Sequence, residues 1–66
     1  MEKANDLVIM LTPKDIQEHL CLSKNIVYQL IQMDSFPKIK IGNSYRIPKD
    51  KYEKWIEQNI RREIIL

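Results

Sequence analysis

The sequence has 66 residues, of which 44% are hydrophobic and 30% are charged. That balance is typical of a folded domain rather than of a disordered segment, and the length allows only one small hydrophobic core. The chain has one cysteine, no apolar run close to the roughly 20 residues that cross a membrane, and no signal-peptide pattern, so we expect a cytoplasmic protein without membrane contact.

The positive charge is concentrated in the middle of the sequence. Residues 23–51 contain six lysines and arginines but only two aspartates, a net charge of +4. Residues 1–22 contain two lysines and four acids, a net charge of −2, and residues 52–66 are balanced. A basic segment of this kind favours a partner that carries phosphates, although a solvated surface without a ligand explains the charge equally well.

A first helix is predicted to begin at Pro13 and to end near Leu20. Thr12 supplies a side-chain oxygen for the free N–H groups of the helix start, and proline suits the first helical position. Asp15, three residues after this cap, opposes the positive end of the helix dipole. Ile16 and Leu20 lie four residues apart and should therefore form the inner face of the helix.

A second helix is predicted over residues 24–33. Ser23 is a strong N-cap, and Val27, Leu30 and Ile31 follow at three- and four-residue spacing. These three side chains should face the core. Only about three residues separate the two helices, so the helices must cross sharply and bury their facing sides, which is helix-turn-helix geometry.

Beyond Pro37 the hydrophobic period changes from that of a helix to that of a strand. Residues 38–41 alternate lysine with isoleucine, the pattern of a half-buried strand, and residues 44–47 return in the same style. The two residues between them, Gly42 and Asn43, tolerate positive φ angles and predict a hairpin turn. The cations of this hairpin are expected near one edge: Lys38, Lys40 and Arg46.

A third helix is predicted to begin at Pro48. Its buried stripe is expected to consist of four side chains at helical spacing: Tyr52, Trp55, Ile56 and Ile60. Trp55 is the largest core candidate and should pack this helix against the first two, while the apolar residues 7–10 should add a short strand beside the hairpin. We divide the sequence into an N-terminal tail, the folded domain, and a C-terminal tail or helix extension: residues 1–10, 11–60 and 61–66.

Particular residues within this order of elements carry a family resemblance. They are Leu11-Thr12, Ile16, Leu20, Ser23-Lys24, Val27-Tyr28, Leu30-Ile31, Phe36 to Gly42, Tyr45 to Pro48 and Tyr52 to Ile56. Taken together, they resemble the excisionase family of DNA-binding domains, which are MerR-like winged helix-turn-helix modules of phages, transposons and plasmids. The resemblance implies a small α+β fold, a winged helix-turn-helix of three helices with a β-hairpin wing between helices 2 and 3.

The same resemblance implies sequence-specific binding to double-stranded DNA. Excisionases are architectural proteins that bend DNA and direct an integrase towards excision, whereas other proteins with this module are small transcriptional regulators. The expected partners are therefore DNA, an integrase or other recombinase, and further copies of the chain bound cooperatively on DNA. The apolar residues 64–66 motivate the self-association, and they also leave open a protein-interaction module that holds another protein.

The sequence departs from the family pattern at several places. Cys21 stands where the turn between the helices usually has glycine, and a left-handed backbone there costs a non-glycine residue about 1 kcal/mol, so we expect the turn to differ slightly. Gln29 replaces a frequent arginine, Ser35-Phe36 replaces a frequent glycine before the proline, and Asn43-Ser44 replaces an arginine-rich wing tip. These differences lower the positive charge of the expected binding surface.

The expected DNA-binding residues lie on the second helix and on the hairpin: Ser23, Lys24, Asn25, Tyr28, Gln29, Gln32, Lys38, Lys40, Asn43, Ser44, Tyr45 and Arg46. Asn25 and Gln29 are the best candidates for reading adenine, although Asn25 also suits a helix cap. Tyr28 suits either a phosphate contact or packing on the hairpin, and the strand lysines suit either phosphate contact or protection of a sheet edge.

The residues give little support to catalysis, a metal site or a cofactor. His19 is the only histidine and has no neighbouring set of ligands, so we expect it to serve packing or the surface. Cys21 has no basic partner nearby in sequence and is expected to be a buried or half-buried turn residue. We therefore expect no enzyme, no metal and no cofactor.

Overall fold

The fold places three helices around a small antiparallel sheet. A computed structural model describes residues 7–66. Its elements are β1 (Met10–Leu11), α1 (Pro13–Leu20), α2 (Lys24–Ile31), β2 (Ile39–Ile41), β3 (Ser44–Pro48) and α3 (Lys49–Gln58). The prediction of an α+β winged helix-turn-helix with a hairpin between the second and third helices is confirmed.

Helix α1 begins and ends as predicted, at Pro13 and Leu20. Its start is a capping box: Thr12 Oγ1 accepts the backbone N–H of Asp15 at 3.2 Å, and the Asp15 carboxylate accepts the N–H of Thr12 at 2.9 Å. Ile16 is fully buried. The reciprocal bonds fix the residue at which the helix begins.

The turn after α1 corrects two expectations about Cys21. Its backbone is left-handed, with φ 57° and ψ 44°, so the turn keeps the geometry that glycine would provide. The N–H groups of Cys21 and Leu22 both bond the carbonyl of Gln17, which satisfies the helix end. Because this position reverses the chain at the surface, the thiol is exposed rather than buried or half-buried.

Helix α2 starts at the predicted cap and ends two residues earlier than predicted. Ser23 Oγ accepts the N–H of Ile26 at 3.3 Å. Val27, Leu30 and Ile31 are buried, as their spacing predicted. The helix stops at Ile31 because a tighter turn follows, in which the N–H of Met33 bonds the carbonyl of Leu30 at 3.1 Å.

The sheet has the strand order β1-β3-β2, with both pairs antiparallel. The short strand predicted over residues 7–10 lies at Met10–Leu11, where its residues pair with Pro48 and Ile47. A further bond runs from the N–H of Lys49 to the carbonyl of Ile9 at 2.8 Å. Strand β3 is therefore the central strand of the sheet, and β1 and β2 are its edge strands.

Strand β2 turns its two isoleucines outwards, which corrects the prediction of a half-buried β2. Ile39 and Ile41 are 46% and 61% exposed. Lys40 pairs instead with Tyr45, on the same face of the sheet as the fully buried Ile47. The inner face is thus set by the alternation of β3, and β2 follows the register that the tight turn imposes.

Helix α3 begins at Lys49, with Pro48 as the last residue of β3. Tyr52 and Trp55 are buried as predicted, and Ile56 is partly buried against the core. The prediction for Ile60 is wrong: this side chain is 62% exposed. Helix α3 ends at Gln58, before Ile60, and residues 61–66 do not extend it.

The core contains side chains from all three helices and β3, and aromatic contacts pack Phe36 against α3. The rings of Phe36 and Trp55 meet edge to face with centroids 4.9 Å apart, and the ring centroids of Phe36 and Tyr52 are 6.1 Å apart. Within residues 7–66, the buried Nε1 of Trp55 has no hydrogen-bond partner, a loss of about 1–3 kcal/mol that the burial of the ring must offset. None of the described helices is long and apolar enough to cross a membrane.

Candidate nucleic-acid interface

One face of α2 remains exposed while the other is buried in the core. Asn25, Tyr28, Gln29 and Gln32 are all exposed, and their spacing of three, one and three residues places them in one stripe along the helix. Lys24, at the first position of α2, is exposed one turn before Tyr28. The packing of Val27, Leu30 and Ile31 on the opposite side therefore holds this polar stripe outward.

The hairpin meets this stripe through Tyr45. The Nε2 of Gln32 donates a hydrogen bond to Tyr45 Oη at 3.0 Å. The rings of Tyr28 and Tyr45 pair edge to face, with centroids 6.4 Å apart. Lys40, which is opposite Tyr45 in the hairpin, holds its Nζ 6.0 Å from the centre of the tyrosine ring. Helix and hairpin therefore present one surface, called here the α2–wing surface: Asn25, Tyr28, Gln29, Gln32, Lys40 and Tyr45.

The remaining polar residues of the hairpin lie elsewhere. Arg46 and Ser44 pair with Ile39 and Ile41, so they occupy the opposite face of the hairpin from Lys40. Arg46 is half-buried, and its Nη1 donates to the carbonyl of Tyr45 at 2.8 Å. Asn43 lies in the exposed turn beside Gly42, whose φ of 60° fits the predicted turn. The cations of the hairpin thus do not share one edge.

Lys38 has a structural contact that sequence reasoning missed. Its Nζ donates to the carbonyl of Met33 at 2.8 Å, and the side chain is half-buried. Met33 lies just beyond the C-terminal end of α2, where the negative end of the helix dipole favours a nearby cation. The signal available in the sequence is the position of a lysine five residues after a predicted helix end.

His19 and Tyr52 form a separate polar contact at the other side of the core. His19 Nδ1 and Tyr52 Oη are 2.8 Å apart, and burial raises the pKa of the Tyr52 hydroxyl above its ordinary value of 10.0. Residues 7–66 contain no group of three His, Cys, Asp or Glu side chains that could hold a metal ion. This pair ties α1 to α3 and lies outside the α2–wing surface.

The fold has two helices joined by a short turn, an exposed polar stripe on the second helix, and an adjoining basic hairpin. These features define a winged helix-turn-helix protein. Residues 10–60 match a family model described as a helix-turn-helix domain. The chain belongs to this family, which includes excisionase-like DNA-binding domains, is typically non-enzymatic, and supports sequence-specific DNA binding as the activity. Comparisons with curated proteins and with solved structures found no match.

Proposed function

We propose that the chain is an excisionase-like architectural factor of a mobile genetic element, with a MerR-like winged module that binds double-stranded DNA. The single observation that carries the DNA-binding part is the α2–wing surface. Its helix stripe and its hairpin are joined by the bond from Gln32 to Tyr45, so both elements can meet one duplex in a fixed relative orientation. Family membership supports the same activity.

In this proposal α2 enters the major groove and reads bases. Asn25 and Gln29 lie one turn apart on the exposed stripe, and amide side chains can bond both N6 and N7 of adenine. Ser23 and Lys24 lie at the N-terminal end of α2, where the Lys24 ammonium can reach a guanine or a phosphate. Tyr28 and Gln32 are held against the hairpin and have the role of fixing the approach of the helix.

The hairpin supplies phosphate contacts and hence much of the affinity. Lys40 is exposed on the shared surface and is its principal cation. Asn43 at the turn reaches the backbone of the adjacent groove, while Ser44 and Arg46 approach it from the outer face of the hairpin. Lys38 contributes charge from its place beside the end of α2. Each neutralised phosphate adds a salt-dependent increment to the affinity.

Selection of preferred duplexes from a random-sequence pool tests the base-reading part. Wild-type protein should select a defined sequence, and Gln29→Ala should relax or change the preference at one position by about 1–3 kcal/mol. Lys40→Gln should weaken binding to all sequences to a similar extent. An unchanged preference in Gln29→Ala would refute the assignment of Gln29 as a base reader.

An excision reaction tests the architectural part. A small monomer makes few phosphate contacts, so we propose that several copies bind adjacent repeats cooperatively, bend the DNA and assist an integrase. Addition of the chain to the integrase of the same element should raise the yield of excision and should bend an end-of-element duplex. If DNA is bound tightly but excision is unaffected, the chain is a small transcriptional regulator instead.

A further inference from the structure

A run of exposed apolar side chains precedes and enters β1. Leu7, Val8, Ile9 and Met10 are 72%, 51%, 60% and 39% exposed. Four consecutive exposed apolar residues are unfavourable for an isolated soluble domain and are typical of a surface that binds another protein. They lie at the edge of the sheet, because among residues 7–66 β1 is paired with β3 alone. The outer side of β1 can therefore accept an additional strand.

A groove between α1 and α3 lies beside this run. It has a volume of about 490 Å³. Its floor is mostly apolar and includes Leu11, Tyr52 and Ile56, while its rim carries the carboxylates of Asp15, Glu53 and Glu57. A smaller depression lined by Leu7, Val8 and Ile9 shares Lys49 and Glu53 with the groove, so the exposed run and the groove adjoin.

The charges around this groove indicate the chemistry of its occupant. Three carboxylates face a single lysine, Lys49, so the rim favours cations. Residues 1–6 contain Glu2, Lys3 and Asp6, and their charge does not complement the rim. The groove shares no residue with the α2–wing surface, so a partner can occupy it while that surface is engaged.

We propose that an extended, basic and apolar segment of another protein docks along β1 and into the groove between α1 and α3. Backbone bonds to the open edge of β1 hold the segment as an added strand. Its alternate apolar side chains cover Leu7 to Met10 and the groove floor, and its lysines or arginines meet Glu53 and Glu57. This inference does not depend on DNA binding, since none of these residues belongs to the α2–wing surface.

The proposal is tested by titrating the isotope-labelled chain with a synthetic peptide. The peptide has about ten residues and alternates lysine with valine. The expected result is amide shifts at residues 7–11 and at Glu53 and Glu57. A peptide with glutamate in place of lysine, and one with glycine in place of valine, should each bind at least about tenfold more weakly, because each removes one half of the recognition.

A charge-neutral variant provides the matched control. Glu53→Gln with Glu57→Gln keeps the shape of α3, should weaken the lysine–valine peptide about tenfold, and should leave DNA affinity within about twofold of wild type. Equal binding of the lysine and glutamate peptides, or shifts confined to other surfaces, would overturn the proposal. Concentration-dependent shifts at residues 7–11 without peptide would also overturn it, since a second copy of the chain would then be the occupant.

Discussion

Gln32 and Tyr45 are joined by a hydrogen bond of 3.0 Å between the amide Nε2 and the phenol oxygen. The two residues lie in different elements: Gln32 caps the end of α2, and Tyr45 is in the second strand of the hairpin. Their contact fixes the position of the hairpin relative to α2 in the folded protein, before any DNA is bound. In the proposed complex a DNA duplex would meet a preorganised surface, which lowers the entropic cost of binding.

Tyr45→Phe should uncouple the wing slightly while leaving the ring against Tyr28. The bond is exposed, so the free energy of unfolding should fall by only about 0.5–1 kcal/mol in urea denaturation. A double-mutant cycle with Gln32→Ala should give a coupling of about 0.5 kcal/mol. Tyr28→Phe, which keeps both the ring pair and the bond, is the control, and strict additivity in the cycle would show that the contact has no energetic role.

Lys40→Gln should weaken DNA binding without changing the preferred sequence. Loss of one phosphate contact should reduce the slope of log affinity against log salt concentration by about one. Lys54→Gln makes the same change of charge on the exposed side of α3, outside the α2–wing surface, and is the matched control. Fluorescence anisotropy at several salt concentrations measures both slopes. Equal slopes for the two variants would mean that Lys40 acts only through net charge.

Cys21→Gly should stabilise the domain. The left-handed conformation of Cys21, with φ 57°, costs a residue with a Cβ about 1 kcal/mol, whereas glycine adopts it freely. Part of this gain is offset because glycine also increases the entropy of the unfolded chain, so we expect about 0.5 kcal/mol from urea denaturation. Cys21→Ala should be close to wild type and Cys21→Val should be destabilised. A glycine variant less stable than the alanine variant would contradict this account of the turn.

Tyr52 should make stability depend on pH in the alkaline range. Burial raises the pKa of its hydroxyl above 10.0 in the folded state, so the neutral form is favoured there. This contribution is present below the unfolded pKa of about 10 and is lost as pH rises through the folded pKa, because the unfolded chain releases its proton first. Tyr52→Phe lacks this dependence.

Below pH 10 the same variant should be less stable than wild type by about 1 kcal/mol, since it loses the contact of 2.8 Å with His19. Urea denaturation at a series of pH values measures the difference between the two proteins. The difference should narrow above pH 10, and a constant difference at every pH would contradict the assignment.

The helices could be predicted from sequence because their signals are local. The capping residues Thr12 and Ser23 and the spacing of Val27, Leu30 and Ile31 act within a few residues, and the structure has these features as predicted. The end of α2 was less predictable. It depends on the turn that leads to Phe36, a buried side chain whose role appears only once the third helix is packed against it.

The orientation of the hairpin could not be predicted from β2 alone. Alternation identifies two faces but not which one is inner, and here β3 decides because Ile47 is in the core. The lysine and isoleucine positions of β2 are therefore reversed relative to the simple expectation. For the same reason Arg46 is separated from Lys40, although the sequence placed both in one basic hairpin. The sequence thus predicts the helix and the hairpin that form the candidate site. Which hairpin side chains lie on the same face as α2 depends on the strand register.

The central claim is that α2 and the hairpin bind DNA as one surface. Its most direct test is to titrate isotope-labelled protein with a short mixed-sequence duplex and to monitor the amide chemical shifts. At about 50 mM salt we predict that residues 25–32 and 40–45 respond together with a single apparent affinity, and that both responses weaken at about 200 mM salt. Absence of shifts in both segments at low salt would contradict the claim, as would a response of one segment without the other.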